Sequence, residues 1–257
     1  MRILRKNAIF DLHEVEKQYK QHLPDRVQVR AFKKYCFALH QIAYVEILED
    51  INFANYSSNL IRSAENWLHL LKQLNSGKDT VPTSFLLPLF GVLAIGSNDL
   101  ASDIANNASD KKVPPEYDDE FYYADLLHHL VLENKVELEN CLQRYEESLG
   151  DEDSTRLQVC KSIAERNEPE FLDAIATLNE NFINEMEVKA SMPSVSPAEI
   201  NAARHVWLEG IALIRLANSY GIKSSFDYLS IPYAAVAGKA KLTLNDCILG
   251  ISPYQAS

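Results

Sequence analysis

The stretch from Asn167 to Ala190, NEPEFLDAIATLNENFINEMEVKA, decides the fold class of this chain. Its large apolar residues recur every three or four positions, and they are Phe171, Ile175, Leu178, Phe182 and Met186. That spacing puts them on one face of an α-helix, while many of the positions between them are acidic or polar. The stretch is therefore predicted to be a long amphipathic helix with a buried face and a negatively charged face.

Similar spacing recurs along the chain, and no segment has the strict alternation of a half-buried strand. Helices are predicted at residues 8–22, 27–51, 58–75, 83–95, 99–106, 118–132, 136–149, 154–166, 169–190 and 198–220. Helix breakers stand at several of the predicted ends, among them Pro24, Gly77 and Gly150. Past residue 222 the chain is predicted to be mostly irregular, with one short helix at 233–241. The sequence thus predicts an all-α fold of about ten helices packed as antiparallel pairs.

The last long helix, 198–220, has the clearest start signal. Ser196 stands at the N-cap, Pro197 at the first helical position and Glu199 three residues past the cap. Its apolar stripe includes Trp207. We therefore expect one unbroken helix here.

The segment Ala108 to Tyr117 contains two lysines and two prolines and is the clearest loop. A chain of 257 residues is long enough to bury one large core or two smaller ones. We expect either a single helical domain over 1–257 or two packed halves, 1–107 and 117–257, joined by loop 108–116.

A weak internal repeat supports packing in helix pairs. The segment from Asn134 to Leu138 aligns with that from Asn167 to Phe171, and Gly96 to Ile104 fits the same frame less well. A period of about 33 to 38 residues in a helical chain is typical of solenoids of the tetratricopeptide kind. Ordinary antiparallel helical hairpins produce similar coincidences, so both interpretations stay open.

The charge of the chain limits its partners. The formal net charge is −11 and the isoelectric point is near 5.1. Between Val113 and Ala190 there are 20 acidic and 6 basic residues, a local net charge of −14. This charge argues against nucleic acid and anionic membranes as the main partner and favours a basic protein.

Cysteine usage and hydropathy predict a cytoplasmic protein with no disulfide framework. The four cysteines are far apart in sequence, with no C-x-x-C pair, and they are Cys36, Cys141, Cys160 and Cys247. The first ten residues turn charged at Asp11 before an apolar signal segment can form. The most apolar stretch, Phe85 to Gly96, is shorter than the roughly twenty residues that a membrane span needs.

No motif predicts an enzyme, a cofactor or a metal site. Gly91 to Ser97 has the glycine spacing of a phosphate loop but lacks its lysine. His128 and His129 are adjacent and point to different helix faces, whereas a helical metal pair needs a step of four residues. We expect His129 to contact Glu133 one turn away.

Two acidic clusters are the candidate partner-binding residues. Aromatic residues follow the first cluster directly, and at least one of these rings should face the core. The predicted contact residues are Asp118, Asp119, Glu120, Tyr122, Tyr123, Asp151, Glu152 and Asp153. The alternative is that these acids only cap a helix or stay solvated. The second cluster lacks the spacing of a calcium loop.

The closing region resembles a known family. Trp207 to Ala217, then Tyr220 to Ile222 and Tyr228 to Tyr233, resemble the last quarter of the immunity protein 49 family of bacterial polymorphic-toxin systems. The helical PoNi immunity family ends in a similar way. Both resemblances imply an all-helical cytosolic antitoxin that blocks a toxin delivered between bacteria, through type VI secretion or contact-dependent routes.

Combined with the acidic surface, this resemblance predicts an inhibitor of a basic, nuclease-like toxin. The main rival is a helical-repeat scaffold for protein–protein interaction, and an enzyme that reverses the toxin's modification comes third. Glu209 lies among apolar neighbours, and neither Arg204 nor Arg215 is four residues away from it. We therefore expect its partner to come from elsewhere in the fold.

Overall fold

A computed structural model describes residues 1–19, 25–74 and 81–238. Within these ranges every regular element is an α-helix, which confirms the predicted fold class. The helices are α1 (Arg2–Tyr19), α2 (Asp25–Leu48), α3 (Phe53–Leu74), α4 (Leu87–Ala94), α5 (Asn98–Asn107), α6 (Asp118–Val131), α7 (Lys135–Leu149), α8 (Thr155–Glu165), α9 (Glu168–Ser191), α10 (Pro197–Ala203), α11 (Leu208–Ser219) and α12 (Tyr233–Ala237). None of them is both long enough and apolar enough to cross a lipid bilayer.

The predicted helix ends agree best in the middle of the chain. From the end of α4 to the end of α9, each observed end lies within one residue of its predicted position. The first helix begins earlier than predicted, at Arg2, because Leu4, Ala8 and Leu12 form one buried stripe. The predicted breaks at Pro24 and Gly77, residues 239–241 of the last short helix, and Cys247 lie outside the described residues.

The unbroken helix predicted at 198–220 is wrong, because residues 204–207 separate α10 from α11. The backbone N–H of Trp207 donates to the carbonyl of Ser230 at 2.8 Å. The buried Trp207 ring lies against Gly210, where a Cβ would be 2.1 Å from ring atom Cε3. A tertiary contact therefore interrupts the helix without a proline. Ser196 is the predicted N-cap of α10, although its side chain makes no capping hydrogen bond.

Three successive helix pairs, α4–α5, α6–α7 and α8–α9, share one turn geometry. The turn residues with left-handed backbone are Gly96 (φ 74°), Glu133 (φ 51°) and Arg166 (φ 56°). The next residue is the N-cap of the second helix in each pair, and its N–H donates to a carbonyl five residues earlier. This is the Schellman pattern of hydrogen bonds. The weak sequence repeat thus corresponds to three helical hairpins in series.

One hydrophobic core includes residues from both of the halves proposed from the sequence. Phe32 and Tyr56 belong to it in the first half, and Phe171 and Trp207 in the second. Helix α11 packs against α4, and Arg215 on α11 donates from Nε to the carbonyl of Ala94 at 2.8 Å. Contacts of this kind join the two halves of the chain.

The loop 108–116 is held against the segment before α4. The Glu116 carboxylate accepts from the backbone N–H groups of Ser84 and Val113, both at 2.7 Å. Thr83 Oγ1 also donates to the carbonyl of Ser109 at 2.8 Å. These bonds bring the start of α6, which carries the first acidic cluster, close to residues 83 and 84.

Candidate functional site

The first acidic cluster forms the first turn of α6. Asp118, Asp119 and Glu120 are all exposed. Negative charge at a helix N-terminus is favourable by about 0.3–1 kcal/mol, which accounts for part of the cluster without any partner. Asp118 forms an ion pair with Lys112. Asp119 and Glu120 line a surface cleft and are the carboxylates of this cluster best placed for contact.

The aromatic residues after this cluster divide between core and surface. Phe121 and Tyr123 are only 5% and 4% exposed, which confirms that at least one ring faces the core. Tyr122 is half-buried and packs edge-to-face on Phe121, with ring centroids 5.3 Å apart. The Tyr123 hydroxyl donates to Glu209 Oε1 at 2.7 Å. Tyr123, predicted as a contact residue, therefore has mainly internal contacts, and Tyr122 is the more accessible ring.

Glu209 has the distant partners that the sequence predicted. Arg156 on α8 donates from Nε to Oε1 at 2.8 Å and from Nη2 to Oε2 at 3.0 Å. The Arg156 guanidinium also lies 5.0 Å from the Tyr123 ring centroid. Burial acts to lower the pKa of Arg156, but the hydrogen bonds and the charge of Glu209 outweigh it and raise that pKa. These three side chains form one network between α6, α8 and α11.

Arg156 lies between two surface clefts. The first, about 310 Å³, is lined by both apolar and acidic residues, which include Phe85, Leu87, Phe90, Asp119 and Glu120. The second, about 280 Å³, is lined by residues that include Asp153, Phe182, Glu185 and Glu209. Because Arg156 lines both clefts, they are neighbours on the same face of the molecule. Residues of both acidic clusters therefore lie close to Arg156.

The second acidic cluster, Asp151 to Asp153, lies in the turn between α7 and α8 and is exposed. Helix α9 continues the acidic surface and carries exposed apolar side chains as well, with Leu172 40% and Ile183 37% exposed. We use the name acidic face for the surface formed by Asp118–Glu120, Asp151–Asp153 and the exposed side of α9.

Sequence reasoning missed two parts of this face. Arg156 was not singled out, although it is a basic residue two positions after the N-cap Ser154 in an acidic region. Phe85 and Phe90 belong to the most apolar stretch of the sequence and were not proposed as contact residues, whereas both are half-exposed and line the first cleft. The contribution of these two phenylalanines to the cleft depends on the tertiary packing of residues 83–90 beside α6, which the sequence alone does not show.

The two adjacent histidines have different surroundings, as predicted. His128 is buried, and burial lowers its pKa to about 4. His129 is nearer the surface, but its carboxylate neighbour is Asp125, 3.6 Å from Nε2, and not the expected Glu133. Cys141 donates to Asp125 Oδ2 at 3.2 Å, so Asp125, His129 and Cys141 form one polar cluster in the α6–α7 hairpin.

No family model matches the chain, and neither a curated protein nor a solved structure matches it at the significance threshold.

Proposed function

We propose that this chain is an immunity protein, an antitoxin that binds a bacterial toxin acting in the cytosol and blocks it without catalysis. The acidic face is the observation that carries this proposal. This face belongs to the region from Val113 to Ala190, whose 20 acidic and 6 basic residues lie on α6 to α9 and the adjoining segments. A surface with this charge attracts a basic partner and repels nucleic acid and anionic membranes. The resemblance of residues 207–233 to the immunity protein 49 family supports the same class.

The toxin that best fits this face is a basic enzyme such as a nuclease. A nuclease binds phosphate groups and so presents positive charge around its cleft. Carboxylates such as Asp119, Glu120 and Asp153 would take the place of those phosphates and keep the substrate out. Phe85 and Phe90, half-exposed in the first cleft, would supply apolar area to the contact.

The proposed contact residues are the exposed members of the two clusters together with Tyr122. They are Asp118, Asp119, Glu120, Tyr122, Asp151, Glu152 and Asp153. Tyr123 supports this surface from below, through its hydrogen bond to Glu209. Arg156 is ion-paired with the same glutamate, so its positive charge is partly neutralised within the fold.

The first experiment is co-expression of the chain with the product of the adjacent gene. We expect growth to be rescued and a stable complex to be recovered. If the neighbouring product is toxic and the chain neither rescues growth nor binds it, this pairing is wrong. If that product is harmless, a screen of candidate toxins from polymorphic-toxin systems for rescue is the next test, and failure of every candidate argues against the proposal.

The second experiment tests whether charge guides association. Asp119→Lys with Glu120→Lys should slow association with the toxin and reduce its dependence on salt, because steering acts mainly on the association rate. Asp103→Lys is the matched control, since Asp103 is an exposed carboxylate on α5 that lines neither cleft. Equal effects of the reversals per unit of charge would mean that total charge, and not this face, determines binding.

A helical-repeat scaffold for protein–protein interaction is the second candidate. The three hairpins with one shared turn geometry, α4–α5, α6–α7 and α8–α9, favour it. A scaffold should bind peptides with its apolar surface and should tolerate the two charge reversals. An antitoxin should lose binding when the same two charges are reversed. The second experiment therefore separates the two functions.

A further inference from the structure

The α6–α7 hairpin places three potential metal ligands side by side. Asp125 and His129 lie one turn apart on α6, and Cys141 lies opposite them on α7. Asp125 Oδ1 is 3.6 Å from His129 Nε2, and Asp125 Oδ2 is 3.2 Å from Cys141 Sγ. One ligand atom from each of the three residues lies within 4.8 Å of the other two. Tetrahedral zinc with bonds of about 2.0–2.3 Å needs ligand atoms roughly 3.3–3.6 Å apart, so small side-chain rotations would complete the site. We propose that Asp125, His129 and Cys141 form a zinc-binding site, with water as the fourth ligand.

The hydrogen bonding of His129 supports a ligand at this position. Its Nε2 atom faces Asp125 but is 3.6 Å from Oδ1, which is longer than a hydrogen bond. A metal bound at Nε2 would give this nitrogen a partner. Nδ1, which is buried without a hydrogen-bond partner, would then carry the ring proton.

Arg144 now provides the positive charge at this cluster. Its Nη2 atom is 3.0 Å from both Asp125 Oδ2 and Cys141 Sγ. The Arg144 side chain is 44% exposed, so it can turn outward to water without crossing the core.

Exchange of Arg144 for zinc preserves the charge balance of the cluster. Without metal, the Asp125 carboxylate is balanced by Arg144, and Cys141 is a neutral thiol that donates its proton to Asp125 Oδ2. With metal, Zn²⁺ balances the carboxylate and the Cys141 thiolate while His129 binds as the neutral ring. The thiol proton passes to solvent, and Arg144 turns to water. Neither state leaves a net charge buried, which is the condition that makes a buried ionic cluster tolerable.

Cobalt titration of the untagged full chain is the direct test, since Co²⁺ reports thiolate coordination by its absorption. We expect one equivalent to give a thiolate-to-cobalt band with the visible bands of tetrahedral cobalt, and zinc to remove both. Cys141→Ser should abolish the thiolate band, while Cys160→Ser, the control for another buried thiol, should keep it. Absence of the band in the unaltered chain, or its survival in Cys141→Ser, overturns the proposal.

Two further variants test the geometry and are checked for helicity first. His129→Gln should weaken cobalt binding at least tenfold, and its partly exposed ring makes it the fallback if Cys141→Ser does not fold. Arg144→Gln should tighten binding roughly tenfold, because the metal no longer has to displace a charge-assisted hydrogen bond. Unchanged or weaker binding in a folded Arg144→Gln variant contradicts the exchange. These measurements need no toxin, so their outcome is independent of the proposed antitoxin function.

Discussion

Arg156 and Glu209 form a bidentate ion pair between α8 and α11, with N–O distances of 2.8 and 3.0 Å. The Tyr123 hydroxyl adds a third hydrogen bond to the same carboxylate at 2.7 Å. The Glu209 side chain is only 15% exposed, whereas that of Arg156 is 45% exposed and lines both clefts. The network therefore connects the acidic face to the core through one carboxylate.

Replacing this carboxylate should lower stability. Glu209→Gln keeps the size of the side chain but removes its charge, so Arg156 loses its partner and the hydroxyl of Tyr123 loses a strong acceptor. We expect a loss of about 1–3 kcal/mol in the free energy of unfolding, measured by urea denaturation. Glu146→Gln is the control, because its ion pair with Lys161 is exposed and worth under about 1 kcal/mol. Equal losses for the two variants would contradict a structural role for the network.

The sequence predicted this relationship only in part. Glu209 among apolar neighbours implied a distant cation, but nothing local to Arg156 or Tyr123 identified the partners. Helix periodicity was sufficient from α5 to α9 because each hairpin there has an N-cap and a left-handed turn close in sequence. It failed at Trp207, where contacts with Ser230 and Gly210 determine the break. Local signals therefore predicted the helices, whereas the clefts depend on packing between distant segments.

Gly210 should be intolerant of any side chain. A Cβ there would lie 2.1 Å from Trp207 Cε3, and the Trp207 ring is completely buried. Gly210→Ala should therefore destabilise the fold by about 1–3 kcal/mol through overpacking. Gly96→Ala is the comparison, because no atom lies within 4 Å of its Cβ position and only the positive φ of its turn (+74°) opposes the change. Its cost should be nearer 1 kcal/mol. Thermal and urea unfolding would show which variant loses more stability. A smaller loss of stability in Gly210→Ala than in the comparison variant would contradict this account.

The stability of the fold should decrease as the pH falls below about 6.5, the unfolded pKa of histidine. Burial lowers the pKa of His40 to about 3 and that of His128 to about 4. The unfolded chain therefore binds these protons first, and stability present above pH 6.5 is lost as the pH falls toward those values. Each histidine should lower the free energy of unfolding by about 1.4 kcal/mol for every pH unit in that window.

His40→Gln and His128→Gln test this pH dependence by urea unfolding at pH 7.5 and pH 5.5. Each variant should lose less stability than the unaltered chain between the two pH values, whatever its stability at pH 7.5. His205→Gln is the control, because His205 is exposed. An unchanged pH dependence in both buried-site variants would mean that these rings are not held neutral by the fold.

Glu133 should be one of the few positions where glycine stabilises the protein. It connects α6 to α7 with a left-handed backbone, φ 51°, in the position that Gly96 takes in the α4–α5 hairpin. A residue with a Cβ pays a steric cost in this conformation that glycine avoids, so Glu133→Gly should raise the free energy of unfolding by roughly 0.5–1 kcal/mol. Glu139→Gly, at an exposed position inside α7, should instead lower it by about 1 kcal/mol. Opposite shifts in the urea midpoint at unchanged slope are expected. If both variants are destabilised to the same extent, the backbone at Glu133 is not strained. The α6–α7 turn would then not favour glycine in the way that the α4–α5 turn does.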